Sequence, residues 1–186
     1  MEKLLRQAVD HHPQRRFVGY QGPDSPVQRK LTVREQVRAI FTALKKDANL
    51  LYVNSPLNFG SQGGQITQRV RLPREILEAG GSANCIDGTV LFASLLELAT
   101  LDPAIVLIHG HAFVGWRQWH NVKRYNFLET TAIGYAEFEA ACEAAEVRFT
   151  KVKEAGDLDR ALFDPKGFAR LIDVAECRQQ GIYPLE

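Results

Sequence analysis

Residues 83–98 read ANCIDGTVLFASLLEL, and this segment constrains the fold more than any other part of the chain. The run from residue 89 to residue 101 is apolar on nearly every side of a helix, interrupted only by Ser94, Glu97 and Thr100. A helix that is apolar all round is buried within a domain, and this one is too short and too polar to span a bilayer. The sequence therefore predicts a buried helix at about residues 84–100.

Length and composition indicate one globular domain. The chain has 186 residues, of which 45% are hydrophobic and 24% charged, with a net charge of +1. A net charge this close to zero does not indicate the basic surface of a nucleic-acid-binding protein. We therefore expect neither nucleic acid nor a membrane as a partner.

The cysteines and the first residues predict a cytoplasmic protein. Cys85, Cys142 and Cys177 are odd in number, widely spaced and without a CxxC pair, which is typical of a reducing compartment and not of a disulfide or zinc framework. The first 16 residues carry charges where a secretory signal needs an apolar run.

The remaining patterns predict an α+β fold. Residues 1–31 are interpreted as an N-terminal arm and residues 32–186 as the domain, which opens with a helix over 32–48 capped by Thr32 and Glu35. A strand over 65–73 points Gln68 inward, and a short helix follows from Pro73. Residues 104–116 form a strand, 118–124 a hairpin turn and 125–133 the return strand. Helices over 135–145 and 167–180 complete the chain.

Cys85 is the first candidate functional residue. If Asn84 caps the buried helix, Cys85 occupies its first position, beside unpaired N–H groups and the positive end of the helix dipole. Those groups favour the thiolate, which is the nucleophilic form, and can also stabilise an oxyanion. Asp87 opposes this effect unless it closes a capping box with Asn84. Cys142 and Cys177 are interpreted as ordinary packed cysteines.

A histidine and a carboxylate complete the candidate site. A hairpin turn centred near His120 would place His111 opposite Glu129, with both side chains on one face of the sheet. A cysteine, a histidine and an acid that orients the imidazole form the generalised catalytic triad. Two alternatives stay open: a metal site made of His109, His111 and Glu129, and a binding module without catalysis.

The motifs NCIDGTVLFASLLE, GHAFVGW and FLETT resemble the transglutaminase-like branch of the papain-like cysteine enzymes, and in particular bacterial domains with this signature. The resemblance runs from about residue 32 to residue 185. It departs from the usual pattern at Ala83, where a glycine is expected, and at Glu129, where aspartate is usual. It implies a central helix that carries the cysteine, packed on an antiparallel sheet that carries the histidine and the acid, with flanking helices.

By this resemblance Cys85 is the nucleophile, His111 the base and Glu129 the orienting acid, while Gln68 is a candidate oxyanion donor. The implied activity is hydrolysis of an amide or peptide bond through an acyl-enzyme, with acyl transfer to an amine as the alternative. The substrate would be a protein or peptide, and no cofactor or metal is required.

Overall fold

A computed structural model describes residues 1–22, 25–53, 70–78, 80–162 and 164–184. The helices in these ranges are α1 Glu2–His11, α2 Pro26–Lys46, α3 Pro73–Glu78, α4 Cys85–Leu98, α5 Phe138–Glu154 and α6 Val174–Gln179. The strands are β1 Leu51–Tyr52, β2 Ser82–Ala83, β3 Pro103–Ile108, β4 His111–Arg117, β5 Tyr125–Leu128 and β6 Ala169–Asp173. The predicted α+β class is confirmed.

Within the described residues, four strands form one antiparallel sheet in the order β5-β4-β3-β6, and helices cover both of its faces. Val114, Trp116 and Leu128 project into the larger core, to which α1, α2 and α4 contribute. Phe113 and Phe127 project into a smaller core beneath α5. Because neighbouring residues of a strand face opposite sides, His111 shares the α5 face with Phe113.

Helix α4 is the central helix that the sequence predicts. Leu91, Phe92, Leu95 and Leu96 have no exposed surface, and the helix packs on β3 and β4. Its start is fixed by Asn84, whose side-chain oxygen accepts a hydrogen bond of 2.9 Å from the Asp87 N–H. Cys85 is consequently the first residue of the helix.

Residues 1–31, interpreted as an N-terminal arm, contain helix α1 and the first turns of α2. Helix α1 buries Leu4 and Ala8 in the larger core. Helix α2 begins at Pro26 and runs without a break through Thr32, whose hydroxyl donates to the Gln28 carbonyl inside the helix at 3.0 Å. The predicted cap at Thr32 is wrong, because proline at the first helical position already favours an earlier start.

The strand predicted over residues 104–116 is two strands. Beyond Ile108 the chain reverses in a tight turn of His109 and Gly110, and Ile108 pairs with His111. Gly110 has φ +70°, which glycine adopts without strain. The apolar run conceals this turn, since both strands are buried and their patterns are continuous.

The predictions for the C-terminal part are only partly right. Helix α5 starts three residues later than expected and runs to Glu154, and the predicted helix over 167–180 is strand β6 followed by helix α6. Asp173 ends the strand and caps α6, accepting a 3.1 Å hydrogen bond from the Glu176 N–H. The predicted helix at Pro73 is confirmed as α3. Of the strand predicted over 65–73, residues 70–72 are not in a strand, and the part that includes Gln68 lies outside the described residues.

No helix in the described part of the chain combines the length and the apolar character needed to cross a bilayer.

Candidate active site

The half-buried thiol of Cys85 lies where helix α4 leaves the short strand β2. Strand β1 pairs in parallel with β2, so that Tyr52 is opposite Ala83. The thiol therefore sits between the first turn of a buried helix and a two-residue strand whose Tyr52 is partly exposed.

His111 and Glu129 form a direct pair. The distance between His111 Nε2 and Glu129 Oε2 is 2.8 Å, and the two side chains are 17% and 3% exposed. His111 also stacks on Phe113, with 6.2 Å between the ring centroids. The imidazole is thus held in one orientation, and Nδ1 is the ring nitrogen left for the Cys85 thiol.

The strand register differs from the predicted one, yet it still allows His111 and Glu129 to pair. Val114 pairs with Leu128, so that the ladder, continued toward the turn, sets Phe113 rather than His111 opposite Glu129. The register is shifted by two residues, which preserves the face on which each side chain lies. Glu129 consequently reaches His111 along the diagonal, and its longer side chain suits that span. The return strand ends at Leu128, and Glu129 caps the 3₁₀ turn Thr130–Ala132.

The imidazole of His111 lies near the Cys85 thiol and favours the thiolate. Burial raises the pKa of the Cys85 thiol, but the interaction with His111 and its positive charge outweigh burial, together with the nearby Ala112 and Ile86 N–H groups. The pKa of Cys85 therefore lies below its ordinary value.

His111 and Glu129 each stabilise the charged form of the other. Burial lowers the pKa of His111, but its interactions with Cys85 and Glu129 raise it, to about 9. Burial likewise raises the pKa of Glu129, yet His111 and Thr131 hold it below its ordinary value. At neutral pH His111 is therefore an imidazolium beside the Glu129 carboxylate, and the imidazolium is lost as the pH rises through about 9.

The buried Glu129 carboxylate has partners on both oxygens. Oε1 accepts hydrogen bonds from the Thr131 N–H at 3.3 Å and from the Thr131 hydroxyl at 2.8 Å. Oε2, which binds His111, also lies 3.2 Å from Nε of Arg148. Sequence reasoning missed both residues: Thr131 is visible in FLETT as a neighbour of the acid, whereas Arg148 lies on another element and gives no local signal.

Asp87 does not close the expected capping box. Its carboxylate is 1% exposed and accepts hydrogen bonds of 2.9 Å from the backbone N–H and from Nε of Arg71. Arg71 also donates to the Ser82 carbonyl at 2.7 Å. The negative charge two residues after Cys85 is thus paired with a guanidinium, which weakens its opposition to the thiolate.

The other candidates lie apart from this site. Cys142 is 3% exposed, and burial raises its pKa to about 12. His109 is in the β3–β4 turn, outside the strands, and contacts the Phe168 ring at 6.2 Å between centroids. Because His109 is in the turn, the assumption that His109 and His111 share one strand is wrong. Within the described ranges, no group of three His, Cys, Asp or Glu side chains is arranged to hold a metal ion. Gln68 lies outside the described residues, so its role stays a prediction.

The chain matches no protein-family model, no curated protein and no solved structure. Any function assigned to it depends on its own residues and geometry.

Proposed function

We propose that the protein is a cysteine enzyme of the papain-like, transglutaminase-like type that cleaves amide or peptide bonds through an acyl-enzyme on Cys85. The observation that carries this proposal is the His111–Glu129 pair, 2.8 Å apart, whose imidazole lies near the Cys85 thiol at the first turn of a buried helix. The motif resemblance supports the same assignment, as does a cysteine-bearing helix packed on an antiparallel sheet.

Acylation would use the charged form of the site. The Cys85 thiolate attacks the substrate carbonyl carbon, and the carbonyl electrons move to oxygen, where N–H groups of the first helical turn offer stabilisation. The His111 imidazolium then gives its proton to the leaving nitrogen as the C–N bond breaks. An amine departs, a thioester remains on Cys85, and His111 is neutral and hydrogen-bonded to Glu129.

Deacylation would return every group to its starting state. His111 takes a proton from water as the water oxygen attacks the thioester carbonyl, and the C–S bond breaks to release a carboxylic acid and the thiolate. If an amine attacks in place of water, the same steps give an amide. We favour hydrolysis because water is in large excess in the cytoplasm, where a protein with three free thiols is stable.

The surroundings of the thiol support a protein or peptide substrate. Tyr52 is 39% exposed, and burial together with the charge of Cys85 raises its pKa. An exposed aromatic side chain near a nucleophile offers a surface for apolar groups of a polypeptide. The proposed steps use only side chains and backbone groups of this chain, so the reaction requires no cofactor.

An activated ester tests the proposal without knowledge of the natural substrate. With p-nitrophenyl acetate at pH 7, we expect one acetyl group per chain, mapped to Cys85 by peptide mass spectrometry, with release of p-nitrophenolate. The adduct should then decay as water hydrolyses the thioester. Faster decay on addition of glycine ethyl ester, with formation of its N-acetyl derivative, would identify acyl transfer. Absence of acetylation at Cys85, or labelling of the three cysteines at equal rates, would refute the proposal that the protein is a cysteine enzyme.

A further inference from the structure

Arg148 contacts the candidate active site from a separate element. Its Nε lies 3.2 Å from Oε2 of Glu129, the oxygen that is 2.8 Å from Nε2 of His111. Two cationic groups therefore approach one carboxylate oxygen. The Arg148 side chain is 46% exposed, whereas that of Glu129 is 3% exposed.

The position of Arg148 is fixed by the way α5 docks beside Glu129. The Glu129 N–H donates to the Ala141 carbonyl of α5 at 3.0 Å. Arg148 follows Ala141 by two helical turns and shares its face of the helix. The same helix thus holds both the backbone and the carboxylate of Glu129.

Shared binding at one oxygen has two physical consequences. Thr131 binds Oε1, and Arg148 lies against Oε2, so that the guanidinium and the imidazolium compete for the same oxygen. The Glu129 carboxylate therefore attracts two cations instead of the imidazolium alone. The guanidinium also places a positive charge near His111.

We propose that Arg148 is a positioning residue of the Cys85–His111–Glu129 site: its guanidinium shares the Oε2 atom of Glu129 with His111 and so weakens the hold of the carboxylate on the imidazolium. Arg148 acts through Glu129 and need not touch the substrate. The catalytic role of Arg148 rests on the proposed function, whereas the contact between Arg148 and Glu129 is independent of it.

The electrostatic surroundings agree with this role. Titratable or charged groups that act on the site from the elements packed around it are Cys85 of α4, Tyr52 of β1 with its neighbour Tyr135, and Arg148 of α5. Burial is the largest influence on the pKa of His111 and lowers it, and the positive charge of Arg148 acts in the same direction against the raising effects of Cys85 and Glu129. Removing that charge should therefore raise the pKa.

The test follows the imidazole directly. In Arg148→Gln we expect the NMR titration midpoint of His111 to rise by about 0.5–1 pH unit, because one positive charge near a partly buried group is lost. Arg148→Lys keeps the charge and should return the midpoint toward the parental value. Lys151→Gln removes an equal charge from an exposed position on the same helix and should leave the midpoint unchanged.

The outcomes separate this inference from the proposed function. Cys85 acetylation in the parent tests the enzyme, whereas the His111 midpoint tests Arg148 whether or not the parent turns over. An unchanged midpoint in Arg148→Gln, an equal rise in Lys151→Gln, or a rise that persists in Arg148→Lys would overturn the role of Arg148. Thermal unfolding of each variant verifies that the fold is retained, and the partial exposure of Arg148 makes both substitutions tolerable.

Discussion

Replacement of Cys85 with alanine is expected to abolish acylation by p-nitrophenyl acetate, lowering the rate at least about a thousandfold, because the attacking atom is removed. The fold should survive. Cys85 is half-buried at the first position of α4, where alanine is a good helix former, so the free energy of unfolding should change by less than about 0.5 kcal/mol.

Cys177→Ala is the matched control for this variant. Cys177 is also half-buried and lies on helix α6, so its loss should leave acylation of Cys85 intact. Stopped-flow release of p-nitrophenolate measures acylation, and urea unfolding measures stability. A folded Cys85→Ala protein that is acylated at the parental rate would show that the nucleophile lies elsewhere.

Replacement of His111 with alanine should slow alkylation of Cys85 by iodoacetamide at pH 7 about 10- to 100-fold. Without the imidazolium, burial dominates and the thiol pKa returns to its ordinary value or above. A thiol with an ordinary pKa is only a few per cent ionised at pH 7, and the greater nucleophilicity of a more basic thiolate recovers part of the loss.

The pH dependence makes the His111 prediction specific. The difference between variant and parent should shrink as the pH rises above the ordinary thiol pKa, because both proteins then carry the thiolate. His109→Ala is the matched control, since His109 lies two residues away in the β3–β4 turn and packs on Phe168. Equal rates for parent and His111→Ala at pH 7 would refute the proposed role of the imidazole.

The parts of the fold that local signals determine could be predicted from the sequence. Asn84 before an apolar run gives the start of α4 and the place of Cys85, and Pro73 gives α3. The joint position of His111 and Glu129 could also be predicted, because an error of two residues in a strand register leaves each side chain on the same face.

Features that depend on tertiary packing could not be predicted. The turn at Gly110 is hidden because β3 and β4 are both buried and leave no polar break between them. Arg148 meets Glu129 only because α5 docks against the end of β5, and no spacing in the sequence encodes that contact. Strand β6 could not be told from a helix in the sequence. Its five residues alternate only weakly between apolar and polar side chains, and they lead directly into α6.

Limited alkylation reports whether His111 makes Cys85 more reactive than the other two cysteines. The native protein would be treated briefly at pH 7 with less than one equivalent of iodoacetamide, and the modified cysteine identified by peptide mapping. We expect modification of Cys85 well ahead of Cys177, and almost none of Cys142, whose pKa is about 12. Modification of Cys177 as fast as Cys85, or of Cys85 as slowly as Cys142, would show that His111 does not activate the Cys85 thiol.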